Sequence, residues 1–354
     1  MKRLRVGIAS FAHVHAAGYA RLLERRDDVD LLTCDPDPGP DPVRDLGGAD
    51  EGQLRGAALA AQLGVNHVAS YDELFASDLD VVVVCSESAR HRALVERAAT
   101  AGVHVLCEKP LATTLEDAVA MRDACDAAGV RLMTAYPVRF HPGFRELRAR
   151  VRRGELGAVL AVTGTNTGRA PIASRRWFVD ADLAGGGALM DHTVHLADLL
   201  DDLLEDRPRS VYAQVNQVVH GDDVDVETGG LVALTYPDGL VATIDCSWSA
   251  PASYPGWGGL TLTVEGERGS ATLDAFADRL EVFDDQAGGL RWHPFGVDLD
   301  ALMLDELLGA VRDGRAPQPD GSVGCRTLEI VLSAYASARS GRVVPVDGRI
   351  DPVE

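Results

Sequence analysis

Lysine is nearly absent from this chain of 354 residues: Lys2 and Lys109 stand alone against 32 arginines. Bases as a whole are outnumbered, 34 Lys+Arg against 54 Asp+Glu, for a formal net charge of −20. So negative a charge argues against nucleic acid and anionic-membrane partners, because binding a phosphate backbone requires a basic face. No apolar run approaches the ~18 residues of a membrane-spanning helix. The start, Met1 to Val6, has no apolar segment of ~7–15 residues behind its bases, so no secretory signal is expected. C-x-x-C pairs are missing too. The six cysteines are widely spaced and three lie in apolar strand-like runs, so the expectation is buried thiols in a cytoplasmic protein, not disulfides or zinc. What is present is globular, 46% apolar and 25% charged, and long enough for two domains.

Residues 4–135 alternate short apolar runs with helical patterns, as in a parallel sheet flanked by helices. Strands are expected at Leu4–Ala9, Val29–Cys34, Val81–Cys85, Val103–Cys107 and Val130–Thr134. Helices are expected at His13–Arg26, Leu54–Leu63, Ala89–Ala101 and Thr114–Ala128, with Thr114 and Asp117 resembling a capping box. Asp37–Gly52, rich in Asp, Pro and Gly, reads as a surface loop. From about Gly157 the pattern becomes strand-like alternation: Ala158–Thr165, Val211–Val219, Leu231–Tyr236, Leu240–Trp248, Leu260–Glu265 and Ala271–Leu273. A long helix at Gly187–Leu204 interrupts it, and two helices near Leu299–Arg312 and Thr327–Arg339 close the chain. The fold class is therefore α/β followed by α+β, with domains expected at 1–135 and 136–354.

Three segments could carry chemistry. The first βα turn is where a dinucleotide pyrophosphate would sit, but a G-x-G-x-x-G frame finds Ser10, Ala12 and His15 at its glycine positions, with Phe11 between the first two. Taken alone, that turn fits an ordinary ligand-free α/β turn equally well. Asp35 ends the second strand, where an acid would hold the adenosine ribose of NAD and repel the 2′-phosphate of NADP; it could also be a solvated loop acid. Glu108-Lys109-Pro110 follows the strand at Val103–Cys107, at the carboxyl end where open α/β sheets bind ligands. A chain that writes its cations as arginine, which cannot give up a proton, keeps a lysine here; the amine itself is the expected requirement. A glycine run then opens the helix carrying Asp191, His192 and His195. Asp191 and His195 are spaced to share one helix face, a carboxylate-imidazole arrangement suited to proton transfer. His192, His195 and Asp198 could instead ligate a metal, but no metal is the expectation.

Glu108-Lys109-Pro110, the D-x-x-x-H within Gly185–His195, Ala135–Phe140, Ser70–Phe75, Ser86 with His91, and Ala334–Ala338 together resemble the Gfo/Idh/MocA oxidoreductases. The resemblance runs along nearly the whole chain. It implies an N-terminal Rossmann domain and a C-terminal open-faced antiparallel sheet whose exposed face builds homodimers or homotetramers. It implies NAD, less so NADP, and a small carbohydrate-like substrate, a sugar, polyol or related cyclic hydroxy compound. Lys109, Asp191 and His195 fall on the family's catalytic positions. Ser10, Phe11, Ala12, Asp35, Ser86, His91, Glu108, Lys109, Arg139 and Trp177 fall on or near its cofactor positions. Asn166, Arg169 and His192 are placed with the substrate. The chain departs from the pattern in two ways: the fingerprint glycines are missing, and Glu87 stands where a proline is usual. A lyase, glycosidase or epimerase that recycles NAD internally, or a non-catalytic ligand-binding regulator, is the alternative.

Overall fold

The computed structural model describes residues 3–36, 54–173, 175–284 and 289–347; the expected loop at Asp37–Gly52 lies outside them. Two compact units form. The first comprises residues 1–135, 171–185 and 300–328, and the second residues 136–170, 186–299 and 329–354.

In the first unit, β1 (Leu4–Ala9), α1 (His15–Glu24), β2 (Val29–Cys34), α2 (Gly56–Leu63), β3 (His67–Val68) and α3 (Tyr71–Phe75) make one half. The other half contains β4 (Val81–Val84), α4 (His91–Thr100), β5 (His104–Cys107), α5 (Leu115–Ala128) and β6 (Leu132–Thr134). The six strands are parallel in the order β3-β2-β1-β4-β5-β6, the doubly wound arrangement expected. Chain order reverses beside β1, so the carboxyl ends of β1 and β4 border the ligand crevice. The four valines of β4 are fully buried, as a strand covered on both faces requires. The Thr114 hydroxyl caps α5 by accepting from Asp117 N at 3.1 Å. All six cysteines are free and buried, and burial pushes the Cys34 thiol up to about 12.

In the second unit, α6 (Pro142–Arg152) precedes β7 (Val159–Gly168). The stretch 171–185, carrying α7 (Ala181–Ala184), belongs to the first unit. Then come α8 (Ala188–Leu204), β8 (Ser210–Asn216), β9 (Gly229–Thr235), β10 (Val241–Ser247), β11 (Gly258–Gly266) and β12 (Gly269–Asp274). A hairpin of β13 (Arg279–Asp284) and β14 (Gly289–Pro294) follows; α9 (Leu299–Asp313) and the start of α10 (Gly321–Ser340) belong to the first unit, and the rest of α10 with β15 (Val344–Pro345) to the second. The seven-stranded sheet runs β12-β11-β7-β10-β9-β8-β15, antiparallel except for β7 beside β10. One face is buried under α8. Gly164 on β7 suits this close packing, since a Cβ would fall 2.6 Å from Leu196 Cδ2. The other face exposes Leu160, Tyr212, Leu231 and Val241.

The first unit runs to residue 135, and two later stretches, 171–185 and 300–328, return to it. Helix α10 also starts six residues before the expected Thr327. Gly321 and Gly324 read as breakers in the sequence, yet they serve close packing. A Cβ on Gly321 would sit 2.7 Å from Leu132 Cδ2, and one on Gly324 would sit 2.4 Å from Thr134 Oγ1.

Candidate active site

In the first unit the β1–α1 turn holds a glycine-like conformation without glycine. Ser10 has φ 78°, the left-handed region, and its hydroxyl both donates to Asp35 Oδ1 at 3.0 Å and accepts from Ala12 N at 3.1 Å. Side-chain bonds replace the freedom that Gly would have supplied. The buried Arg175 donates from Nε to Ala12 O at 3.0 Å, and the Trp177 indole N–H donates to the same oxygen at 3.0 Å. The turn's carbonyl edge is thereby bound to protein. Trp177 and Phe178 stack with centroids 4.0 Å apart and enclose Ala12. These features fit a dinucleotide: a tight turn of small residues at the start of a helix, with an acid at the end of β2. Phe11 is itself buried, its ring over His67, so it shapes the turn from beneath.

At the end of β5, Glu108 is buried and gathers donors. The Tyr19 hydroxyl donates to its Oε1 at 2.8 Å, His15 Nδ1 lies 3.1 Å and His13 Nδ1 3.5 Å from that oxygen, and Lys109 N donates to Oε2 at 3.2 Å. Burial works against the charge. The imidazoles and Lys109 override it and hold the carboxyl well below the usual carboxylate range. Burial likewise opposes protonation of His15, and Glu108 outweighs it, raising that imidazole above its ordinary value. Burial, then Glu108, pushes the Tyr19 phenol far up. Lys109 is 5% exposed, so it is not a solvated surface lysine. His91 spans the loops after β4 and β5, its ring nitrogens each 3.1 Å from a carbonyl, Ser86 O and Leu111 O. Ser86 and His91 thus position the loop that ends in Lys109.

His13, His15 and Glu108 form a group whose donor atoms lie within 4.8 Å of one another, close enough to suit a metal ion. Each donor already has work in the metal-free arrangement. Glu108 Oε1 takes the Tyr19 hydroxyl, and His13 Nδ1 accepts His15 N at 3.3 Å. No signal in the sequence tied these histidines to Glu108, because the contact spans over ninety residues.

In the second unit, Asp191 lies in the first turn of α8. Its Oδ2 accepts the Trp248 indole N–H at 3.1 Å and stands 3.2 Å from His192 Nε2. The His192 Nδ1 side is anchored 2.9 Å from Asn166 O. The carboxylate is therefore shared with Trp248 and His192, partners that the i, i+4 spacing to His195 did not announce. His195 packs edge-on against Tyr136, centroids 6.0 Å apart. Asn166 is buried; its Nδ2 donates to Gly259 O at 3.0 Å, and its Oδ1 has no partner among the described residues. Arg169 Nε donates to Gly256 O at 3.0 Å.

One expectation needs correction. Arg139 is not available to a cofactor: its Nη2 donates to Asp198 Oδ1 at 2.6 Å and its Nε to both carboxylate oxygens, in a buried pair. That same pair removes Asp198 from any metal site with His192 and His195. Gly186 and Gly187, which open α8, make room for protein. A Cβ on Gly186 would meet Tyr335 Oη at 1.9 Å, and one on Gly187 would meet Glu227 O at 2.0 Å. Glu227 Oε1 caps the helix through Gly187 N and Leu189 N, both at 2.9 Å, with the Tyr335 hydroxyl donating to it at 2.7 Å.

Residues 46–136 match the family model described as oxidoreductase family, NAD-binding Rossmann fold, and residues 144–272 match the GFO/IDH/MocA C-terminal domain. The chain is 30% identical to D-xylose 1-dehydrogenase (NADP(+)) 2 of Haloferax volcanii, over 84% of this chain and 91% of that one. It is 29% identical to D-apiose dehydrogenase of Paraburkholderia graminis, over 84% and 80%. GenD2 from gentamicin A biosynthesis, solved in complex with NAD, superposes with a TM-score of 0.84 at 26% identity, covering 98% of this chain and 97% of that one.

Proposed function

The chain belongs to the Gfo/Idh/MocA family of NAD-binding Rossmann oxidoreductases, and on that premise we propose that it oxidises a hydroxyl of a sugar, polyol or related cyclic compound. The observation that carries the reading is the buried Lys109 beside a charged, fully braced Glu108 at the carboxyl end of β5. The pentose dehydrogenases among the relatives support the substrate class. When bound, the nicotinamide supplies the hydride acceptor.

The residues divide the remaining work. An alcohol loses hydride readily only if its proton leaves with it, so a base must stand at the hydroxyl oxygen. His195 takes that proton at its imidazole. Asp191 orients the imidazole pair on α8, itself fixed by Trp248. The Lys109 ammonium lowers the energy of the developing alkoxide and helps place the ring. Asn166, Arg169 and His192 are the residues proposed to meet the substrate; His192 Nδ1 lies 2.9 Å from Asn166 O. The exposed sheet face carrying Leu160, Leu231 and Val241 is the surface for a second copy of the chain.

The test is steady-state absorbance at the NADH band across a panel of pentoses, hexoses, sugar acids and inositols. The expected result is NADH formation with at least one of them. Product formation without NADH accumulation would favour internal recycling of the cofactor, and no change in any compound would sink the proposal.

A further inference from the structure

Glu87 departs from the family pattern, and its surroundings give it a task. Asp35 Oδ1 accepts from the Ser10 hydroxyl at 3.0 Å and from Arg55 Nη2 at 2.9 Å. Its Oδ2 accepts from Arg55 Nε at 3.1 Å and from Gly56 N at 2.9 Å. The remaining arm of Arg55, Nη1, donates to Glu87 Oε1 at 3.3 Å, and Glu87 Oε2 accepts from Arg90 Nη1 at 3.4 Å. The Asp35, Glu87 and Arg55 side chains are 1%, 6% and 8% exposed. Three charges buried in a row are costly unless each is paired, and here each is.

The row lies at the carboxyl ends of β2 and β4, where the adenosine half of a dinucleotide would rest. The two candidate cofactors differ there by one group. A 2′-phosphate adds nearly two negative charges and is best met by an arginine with a free two-pronged edge. Arg55 is the arginine in place, but Asp35 takes one edge and Glu87 takes the other arm. With Glu87 ionised, Asp35 and Glu87 together balance Arg55 and Arg90, so this group of described residues offers a phosphate no surplus positive charge.

We propose that Glu87 is a second cofactor-selecting residue: by engaging Arg55 it makes the pocket favour the unphosphorylated ribose of NAD over NADP. This rests on the reading that the β1–β2–β4 crevice takes a dinucleotide. Asp35 disfavours a phosphate by repulsion, whereas Glu87 acts by withholding the cation that could offset it. Family membership alone leaves the choice open, since the Haloferax volcanii relative is named for NADP(+).

The experiment is calorimetric titration of the full chain with NADH and NADPH, read as the ratio of the two dissociation constants. A ratio cancels any general loosening of the fold. Glu87→Gln is expected to improve NADPH relative to NADH by about tenfold, as freeing one arginine arm beside a phosphate should. Adding Arg55→Gln to that variant should remove most of the gain. Arg55→Gln alone should move the ratio the other way, which keeps a readout should Glu87→Gln not fold. An unchanged ratio in Glu87→Gln, or an equal gain with and without Arg55, would overturn the proposal. Binding of neither cofactor by the wild type would overturn the dinucleotide reading itself, and this inference with it.

Discussion

Glu108 is a carboxylate held from several sides, and its loss should be felt beyond its own position. Hydrogen bonds to a buried charge are worth about 1.5–3 kcal/mol each, so Glu108→Gln should cost at least about 2 kcal/mol of stability in urea unfolding. It should also weaken NADH binding, because the same side chain ties α1 to the end of β5. A variant as stable and as tightly binding as wild type would contradict the bracing role. The two ionisations of the pair give opposite pH dependences. The Glu108 carboxyl is depressed, so its contribution is complete above the ordinary carboxylate value of about 4.3 and fades as pH falls below it. His15 is raised, so its contribution is complete below the ordinary imidazole value of about 6.5 and fades as pH climbs through the raised value. Urea midpoints measured from pH 6 to 9 should therefore decline, and His15→Gln should flatten that decline. An identical slope in both proteins would show that His15 is not its source.

At the scale of elements, local signals found most of the framework. Thr114 announced the start of α5, and a turn at Tyr236–Gly239, with Gly239 at φ 85°, joins β9 to β10. Elements whose ends depend on distant partners were not legible. Helix α8 is capped by Glu227, far along the chain, and α10 begins on glycines chosen for contact with β6. Helix α6 went unseen, although Pro142 at its first turn and the His141 Nδ1 accepting Gly143 N at 3.0 Å are start signals. Its buried face is only Phe144 and Leu147, too sparse a period to stand out among arginines. The stretch 171–185 contributes by holding the β1–α1 turn through Arg175 and Trp177. Trp177→Phe keeps the ring and deletes one hydrogen bond. NADH affinity should fall about three- to tenfold, in line with roughly 1 kcal/mol for such a bond, with little change in the overall secondary structure by circular dichroism. Unchanged affinity would mean that the turn holds its shape without the indole.

For the whole molecule, the chain's thrift with lysine was informative because buried sites are where Arg and Lys cease to be interchangeable. The net charge of −20 narrowed the class of partners and pointed to no reaction. Lys109, Asp191 and His195 could be picked out because each sits beside a local pattern, a strand end or a helix face. Tyr19, His13 and His15 around Glu108, Trp248 on Asp191 and Arg55 on Asp35 could not, because what they touch lies tens of residues away and is set by the sheet order. Arg139 shows the opposite error: a residue in a suggestive place whose charge is consumed by Asp198. The central claim is that Lys109 and His195 drive oxidation of a carbohydrate hydroxyl. Its most direct measurement is kcat for NADH formation by wild type, Lys109→Ala and His195→Ala on the best panel compound. Losses of about 100-fold or more in each variant are expected, with folding unchanged by thermal melting. Wild-type turnover retained by either variant would contradict the claim.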